Sequence, residues 1–302
     1  AVKMLGAEVT VNGDEVTISG GNLHAADSVI DCKNSGSSIR MLAGIAANLP
    51  GKTSFTGDAS LCKRPMLPLL DALKDLGAKV ESENGCAPFS VTGPANGNEV
   101  FIRGDISSQF ISALLLGAPT SPSGVKIHLT TPLASRPYVN ITISAMKAHG
   151  VLVEETEDGF FVPGKQQYKP TDGFVSGDYS SAAFILAAGA LTGKVTVTGL
   201  DENDPQGDKA ILDILSHFGA KVSRNGDAVT VECSTLTGID VDLSDAPDLF
   251  PIVAVVGCAA FGTTRLFGAA HLAFKESNRL ETTTAFLRKM GADIEATNDG
   301  CV

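Results

Sequence analysis

Positively charged residues recur in short loops of a chain that is acidic overall, with 23 Lys and Arg against 34 Asp and Glu. The four equivalent loops, of which all but the third contain Lys or Arg, read Cys62-Lys63-Arg64-Pro65, Leu133-Ala134-Ser135-Arg136-Pro137-Tyr138, Asp204-Pro205-Gln206-Gly207-Asp208 and His271-Leu272-Ala273-Phe274-Lys275-Glu276-Ser277-Asn278-Arg279. Helix N-termini close to such loops would add free N–H groups and the positive end of a helix dipole. One arginine before a proline is typical of a solvated surface, but repetition at equivalent positions favours a cleft for an anionic, phosphorylated ligand.

Two carboxylates accompany these cations. Asp248 follows Pro247 at the start of an apolar run, and Glu276 lies between Lys275 and Arg279. Both could be structural, with Asp248 facing a helix dipole and Glu276 capping a helix. They could equally form an acid and base pair whose pKa values are tuned by burial and by Lys275. The residues alone leave both interpretations open.

Five similar stretches indicate the elements that would position these side chains. Each ends an apolar helix in glycine and then begins an alternating strand, and the glycines are Gly6, Gly77, Gly150, Gly219 and Gly291, spaced by 71, 73, 69 and 72 residues. Glycine can take the left-handed conformation that ends a helix. A turn such as Asn225-Gly226 and a second strand follow. A near-constant spacing indicates one supersecondary unit used several times.

A front half of each unit repeats as well. Ser or Asp opens it, an apolar helix follows, and the helix reaches Gly51, Gly124, Gly193 or Gly262 before another strand. We predict that the opening residues are N-caps and that the helices, which are apolar nearly all round, are buried. The predicted fold class is therefore α/β (α+β), built from helix–strand–helix–strand–strand units of roughly 70 residues.

The linker at residues 169–175, which contains Pro170 and Gly173, is the expected domain boundary and gives domains 1–175 and 176–302. The sequence opens with the tail of a predicted helix and stops inside a predicted hairpin, so we expect a fragment that lacks both ends of a longer protein.

The composition disfavours several classes of function. No apolar run reaches the length of about 18 residues that a membrane span needs, and the net charge of −11 disfavours broad binding to nucleic acid. Six cysteines are scattered without a CxxC spacing, which argues against zinc and fits reduced thiols in a cytoplasm. We expect a cytoplasmic protein that spans no membrane and has no zinc site.

Several motifs together resemble one enzyme family. They are Asn34-Ser35-Gly36-Ser37-Ser38-Ile39-Arg40, Ser107-Ser108-Gln109-Phe110, Ser135-Arg136-Pro137-Tyr138, Pro205-Gln206-Gly207-Asp208, Pro247-Asp248 and Lys275-Glu276-Ser277-Asn278-Arg279-Leu280. In order and spacing, over essentially all 302 residues, they resemble the 5-enolpyruvylshikimate-3-phosphate synthases, also called 3-phosphoshikimate 1-carboxyvinyltransferases, of the enolpyruvyl transferase family.

The resemblance implies two domains of three similar units each, with the active site in the cleft between them. It also implies a monomer that acts on small molecules without a metal or cofactor. It implies transfer of the enolpyruvyl group of phosphoenolpyruvate to the 5-hydroxyl of shikimate 3-phosphate, through a tetrahedral intermediate that loses phosphate. By position, shikimate 3-phosphate would contact Ser37, Ser107, Ser108, Gln109, Ser135, Tyr138, Asp248, His271 and Lys275. Phosphoenolpyruvate would contact Gly36, Arg64, Gln109, Glu276 and Arg279. Asp248, Glu276 and Lys275 would be catalytic, with Asp248 as base towards the 5-hydroxyl and Glu276 serving the methylene carbon.

The chain departs from the family pattern at Ser37, where the family has threonine, and at His271, where some members have asparagine. The family's early Lys-Ser…Arg and late Asp-His-Arg motifs lie outside this sequence, so we expect residues 1–302 alone to be inactive. Two alternatives remain. One is the related transferase that acts on UDP-N-acetylglucosamine, and the other is a non-catalytic repeat protein that binds anions or a partner.

Overall fold

A computed structural model describes all 302 residues. The chain folds into two compact units, the first comprising Ala1–Leu133 and Thr142–Thr171, the second Ala134–Ile141 and Asp172–Val302. The domain boundary after residue 175 stays a prediction. No helix has the length and apolar character needed to cross a lipid bilayer.

The first unit holds ten strands and most of four helices. The strands are β1 (Glu8–Asn12), β2 (Glu15–Ser19), β3 (Ile30–Asp31), β4 (Gly51–Thr56), β5 (Lys79–Ser82), β6 (Phe89–Gly93), β7 (Glu99–Ile102), β8 (Val125–Leu129), β9 (Glu154–Thr156) and β10 (Gly159–Val162). The helices are α1 (Gly36–Ala46), α2 (Leu67–Asp75), α3 (Ser108–Gly117) and α4 (Arg136–Ala148). The residues of α4 up to Ile141 belong to the second unit.

The second unit repeats the same kinds of element. Its helices are α5 (Tyr179–Thr192), α6 (Ile211–Phe218), α7 (Phe250–Ala259) and α8 (Arg279–Lys289), and its strands are β11 (Lys194–Val197), β12 (Lys221–Asn225), β13 (Ala228–Glu232), β14 (Asp240–Asp242) and β15 (Arg265–Phe267). Short 3₁₀ turns at Gly207–Ala210 and Pro247–Leu249 lead directly into α6 and α7, and another at Ala270–Phe274 comes shortly before α8.

The sheets show the repeat directly, because two of them share one strand order, β3-β4-β6-β5 and β7-β8-β10-β9. In each, the first two strands are parallel and are joined by a helix, whereas the last two form an antiparallel hairpin. The same parallel crossover joins β14 to β15 through α7. The predicted α/β class and the repeated unit are confirmed.

Two details of the predicted unit are wrong. Each full unit begins with an additional strand (β3, β7 or β14) before its first helix, which the sequence pattern did not reveal. These strands have only two to four residues, which is too short for an alternating pattern to be distinctive. Parallel pairing with the next strand defines them. The strand predicted after Gly291 is also absent, and only a single bridge joins Ala296 to Cys301 there.

The glycines that were predicted to end helices have the expected backbone. Gly6, Gly77, Gly150, Gly219 and Gly291 have φ values of 101°, 93°, 78°, 109° and 95°. A side chain is strained at such angles, so glycine is the residue that lets the helix stop and the strand begin at once.

Helices α1 and α3 pack unusually closely, and glycine is the reason. A Cβ atom built on Gly44 would lie 2.0 Å from the carbonyl oxygen of Ala113, and one built on Gly117 would lie 2.3 Å from the carbonyl oxygen of Gly44. The backbones touch only because neither position has a side chain. Most of α3 is buried, as its uniformly apolar sequence predicted. This contact brings the N-termini of α1 and α3 to the same edge of the first unit.

Candidate active site

In the first unit, polar side chains at the starts of α1 and α3 bond to each other. Gln109 donates through Nε2 to the Ser37 hydroxyl at 2.9 Å, and its Oε1 accepts from Arg40 Nη1 at 2.8 Å. Ser35 caps α1 by accepting from the Ser38 N–H at 3.1 Å. Ser107 precedes α3 but makes no capping hydrogen bond, so the cap predicted there is wrong. Its hydroxyl is thus not engaged in capping the helix.

Two arginines lie beside these helix starts. Arg40 is 5% exposed, and its guanidinium stacks 5.0 Å from the centroid of the Phe110 ring. Burial, and next the charge of Arg64, lower the pKa of Arg40 to about 10. The Nε atoms of both arginines are buried without a hydrogen-bond partner. A buried and a half-buried guanidinium group that repel each other favour an anion between or beside them.

Gly36 lets Arg64 approach the N-terminus of α1. A Cβ atom at Gly36 would lie 2.7 Å from Arg64 Nη1, closer than real contacts allow. Because Gly36 has no side chain, the Arg64 guanidinium can lie against the first residue of α1, and a cation and a helix N-terminus are both suited to bind an anion. In the first unit the structure thus brings together Gly36, Ser37, Arg64, Ser107, Ser108 and Gln109, all predicted from the sequence.

In the second unit one guanidinium joins both predicted acids. Arg279, the first residue of α8, donates through Nη1 to Asp248 Oδ1 at 2.6 Å. Its Nε donates to Glu276 Oε1 at 2.7 Å, and its Nη2 to Glu276 Oε2 at 3.2 Å. Although burial opposes the charge, hydrogen bonds to Glu276 and the charge of Asp248 raise the pKa of Arg279. The two carboxylates named from the sequence therefore lie in one cluster.

A tyrosine and a histidine complete this cluster. The Tyr138 hydroxyl lies 3.0 Å from Asp248 Oδ2, and burial with the neighbouring carboxylates raises the pKa of Tyr138. His271 Nε2 lies 3.2 Å from the Ser135 hydroxyl. Burial and the charge of Lys275 lower the pKa of His271 to about 4, so the ring is neutral at neutral pH. Ser135, Tyr138, Asp248, His271, Lys275, Glu276 and Arg279 all belong to the second unit.

Sequence reasoning missed three residues of these clusters, namely Arg40, Ser180 and Asp208. Asp208 is 2% exposed and lies 3.1 Å from the Tyr138 hydroxyl through Oδ2, and Ser180 donates to the same oxygen. Arg40 and Asp208 stand inside motifs that the sequence singled out, at Asn34–Arg40 and Pro205–Asp208. A charged residue within an otherwise apolar or glycine-rich stretch was the available signal.

The fold and these clusters define a class: an α/β repeat protein with a cationic, hydroxyl-rich helix edge in one unit and a carboxylate–arginine cluster in the other. Within that class, the model of the family described as EPSP synthase (3-phosphoshikimate 1-carboxyvinyltransferase) matches residues 1–302, and the chain belongs to this family of transferases. The resemblance stated from the motifs is confirmed.

Individual proteins with this family's name are similar to the chain over nearly its whole length. The chain is 61% identical over 305 residues to the 3-phosphoshikimate 1-carboxyvinyltransferase of Methanocorpusculum labreanum, with 100% of this chain and 72% of that protein covered. It is 45% identical over 308 residues to the one from Methanocaldococcus jannaschii, covering 99% and 72%. A solved EPSP synthase structure from Acinetobacter baumannii superimposes with a TM-score of 0.79 at 28% identity, covering 99% of this chain and 71% of that one.

Proposed function

We propose that the protein transfers the enolpyruvyl group of phosphoenolpyruvate to the 5-hydroxyl of shikimate 3-phosphate and releases phosphate. The family assignment gives the reaction, and one structural observation supports its chemistry. Asp248 and Glu276, the two groups required to move protons, are held 2.6 Å and 2.7 Å from one guanidinium, that of Arg279. We further propose that the protein is a cytoplasmic monomer.

The proposed reaction has two stages, addition and elimination. Asp248 takes the proton of the 5-hydroxyl while the hydroxyl oxygen bonds to C2 of phosphoenolpyruvate, and Glu276 supplies a proton to the methylene carbon. Glu276 then recovers a proton from the resulting methyl group as the bond between C2 and the phosphate oxygen breaks, and the proton held by Asp248 passes to the departing phosphate. Each proton therefore has a donor and an acceptor, and the enol double bond is restored in the product.

Binding the two substrates requires cations and hydroxyl groups, and each unit offers a set. We assign phosphoenolpyruvate to Gly36, Arg64, Gln109, Glu276 and Arg279. We assign shikimate 3-phosphate to Ser37, Ser107, Ser108, Gln109, Ser135, Tyr138, Asp248, His271 and Lys275. Charge-assisted hydrogen bonds from arginine and lysine are the strong interactions that phosphate and carboxylate groups form in proteins. The neutral His271 can offer one N–H donor without adding charge.

The proposal is tested by measuring phosphate release from phosphoenolpyruvate with each of two acceptor substrates, using the protein encoded by the complete gene. We expect turnover with shikimate 3-phosphate and none with UDP-N-acetylglucosamine. The reverse preference would assign the related transferase instead. The Asp248→Asn variant should keep ligand binding but lose more than about tenfold in turnover, which corresponds to ~1.4 kcal/mol of barrier. Full turnover by this variant would contradict the role of Asp248, and a protein that binds both ligands without turnover would be a non-catalytic anion binder.

A further inference from the structure

The hydroxyl of Tyr138 lies between two carboxylates in the second unit. Its oxygen is 3.0 Å from Asp248 Oδ2, 3.1 Å from Asp208 Oδ2 and 3.3 Å from Asp208 Oδ1. All three groups are therefore within hydrogen-bond distance of one phenolic oxygen. The roles derived above use Tyr138 and Asp248 but give none to Asp208.

Counting hydrogens shows that this arrangement needs one more proton. A phenol has a single O–H, so Tyr138 can donate to one carboxylate only. If Asp208 and Asp248 were both ionised, the second contact would place acceptor lone pairs against each other in a poorly solvated site, which is costly. A proton on one carboxyl group removes the conflict, because that group then donates to the phenolic oxygen while Tyr138 donates to the other.

The surroundings decide which carboxyl group holds the proton. Asp248 Oδ1 accepts a charge-assisted hydrogen bond from the guanidinium of Arg279 at 2.6 Å. Asp208 is 2% exposed, and the charged groups facing it are the carboxylates of Asp178 and Asp248. The ammonium of the adjacent Lys209 is directed elsewhere, to the carbonyl oxygens of Glu202 and Asp204.

We propose that Asp208 carries a proton in the ligand-free protein and thereby directs the Tyr138 hydroxyl towards Asp248. Ser180 donates to Asp208 Oδ2, so the proton belongs on Oδ1, which donates to the phenolic oxygen. Independently, burial first and the charge of Asp248 next raise the pKa of Asp208, although the hydrogen bond from Ser180 opposes this.

Asp208 is therefore a positioning residue that acts through Tyr138. With its proton in place, Asp248 receives one hydrogen bond from Arg279 and one from Tyr138, on different oxygens. Those two bonds fix the orientation of the carboxylate. This consequence rests on the proposed function, in which Asp248 is the base, whereas the location of the proton does not.

Infrared spectroscopy tests the proton directly. In the ligand-free protein at neutral pH we expect the C=O band of a protonated carboxylic acid, absent from the Asp208→Asn variant. The Asp105→Asn variant is the matched control, because Asp105 lies in the first unit and its hydrogen bond from Arg103 at 2.7 Å keeps the pKa of Asp105 below the usual value. The band should persist in this control. A spectrum without the band, or a band that survives Asp208→Asn, would overturn the proposal.

A second comparison tests the positioning role. Asparagine can donate to the phenolic oxygen as a protonated carboxyl group does, whereas valine cannot. We expect kcat of the Asp208→Asn variant to exceed that of Asp208→Val by about tenfold or more, with similar KM values. Equal kcat values would refute the positioning role even if the infrared band is found. If no acceptor supports turnover at all, the proposed function fails, yet the infrared result still decides where the proton lies.

Discussion

Replacing Arg279 by lysine would separate the two acids that its guanidinium joins. Lysine is a point charge on a flexible chain and cannot reproduce three hydrogen bonds in a planar fork. At least two of the three bonds to Asp248 and Glu276 would be lost. Charge-assisted bonds contribute about 1.5–3 kcal/mol when buried. The side chains of Arg279 and Asp248 are 24% and 31% exposed, so we discount each bond to about 1 kcal/mol for solvent screening.

The expected loss is thus about 2 kcal/mol of transition-state stabilisation, or roughly 30-fold in kcat/KM. Single-turnover phosphate release should measure it, in a double-mutant cycle with Asp248→Asn. We expect the two effects to be less than additive, because both changes weaken the same charge-assisted hydrogen bond. Arg224→Lys is the matched control, since Arg224 is bonded to Tyr179 and to the Leu200 carbonyl instead. If the Arg279→Lys effect is unchanged in the Asp248→Asn background, Arg279 does not act through Asp248.

Three further predictions concern stability and pH. Gly44→Ala should lower the free energy of unfolding, measured by denaturant unfolding, by about 2–3 kcal/mol, because the new Cβ would lie 2.0 Å from the Ala113 carbonyl oxygen. A loss below about 0.5 kcal/mol would show that α1 and α3 can move apart at little energetic cost. Ser35→Ala should lower the free energy of unfolding by about 1 kcal/mol, because it removes the cap of α1. Ser107→Ala removes no capping bond, so it should leave the free energy of unfolding unchanged and weaken the binding of shikimate 3-phosphate measured by calorimetry. The opposite pattern would exchange the roles of the two serines. The folded protein resists protonation of His271, whose pKa falls from 6.5 to about 4, so its contribution to stability is present above 6.5 and is lost as the pH falls towards 4. The His271→Asn variant should show a shallower loss of stability over this range, and an identical slope in both proteins would contradict the burial of a neutral ring.

Local patterns were sufficient to predict the repeated architecture. The glycine that ends each second helix is required by a left-handed backbone, and this requirement is visible in the sequence because no other residue meets it without strain. The apolar composition of α3 likewise predicted burial, since a helix that is apolar all round has no face for water. The same prediction is wrong for part of α5, where the side chains of Phe184 and Ile185 are 49% and 53% exposed although the helix is apolar nearly all round.

Features set by distant pairing could not be predicted in this way. Strand β3 is defined by pairing with β4 rather than by its own two residues. The bond between Arg40 and Gln109 joins residues 69 positions apart, and the bond between Tyr138 and Asp208 joins residues 70 positions apart. Ser107 has the composition of a cap, but its hydroxyl does not accept from the backbone of α3. These contacts depend on tertiary structure, which the propensity of a single residue does not predict.

The close contact between α1 and α3 joins two successive repeats of the chain, because α1 lies between β3 and β4 and α3 between β7 and β8. Arrays of repeats commonly bend at the junctions between neighbours. Here the backbones of the two helices meet directly at Gly44 and Gly117, which leaves little room for a tilt at this point. Ser37 and Gln109 should therefore already be bonded to each other before a ligand binds. Ligand binding then needs little additional conformational entropy loss to order these two side chains.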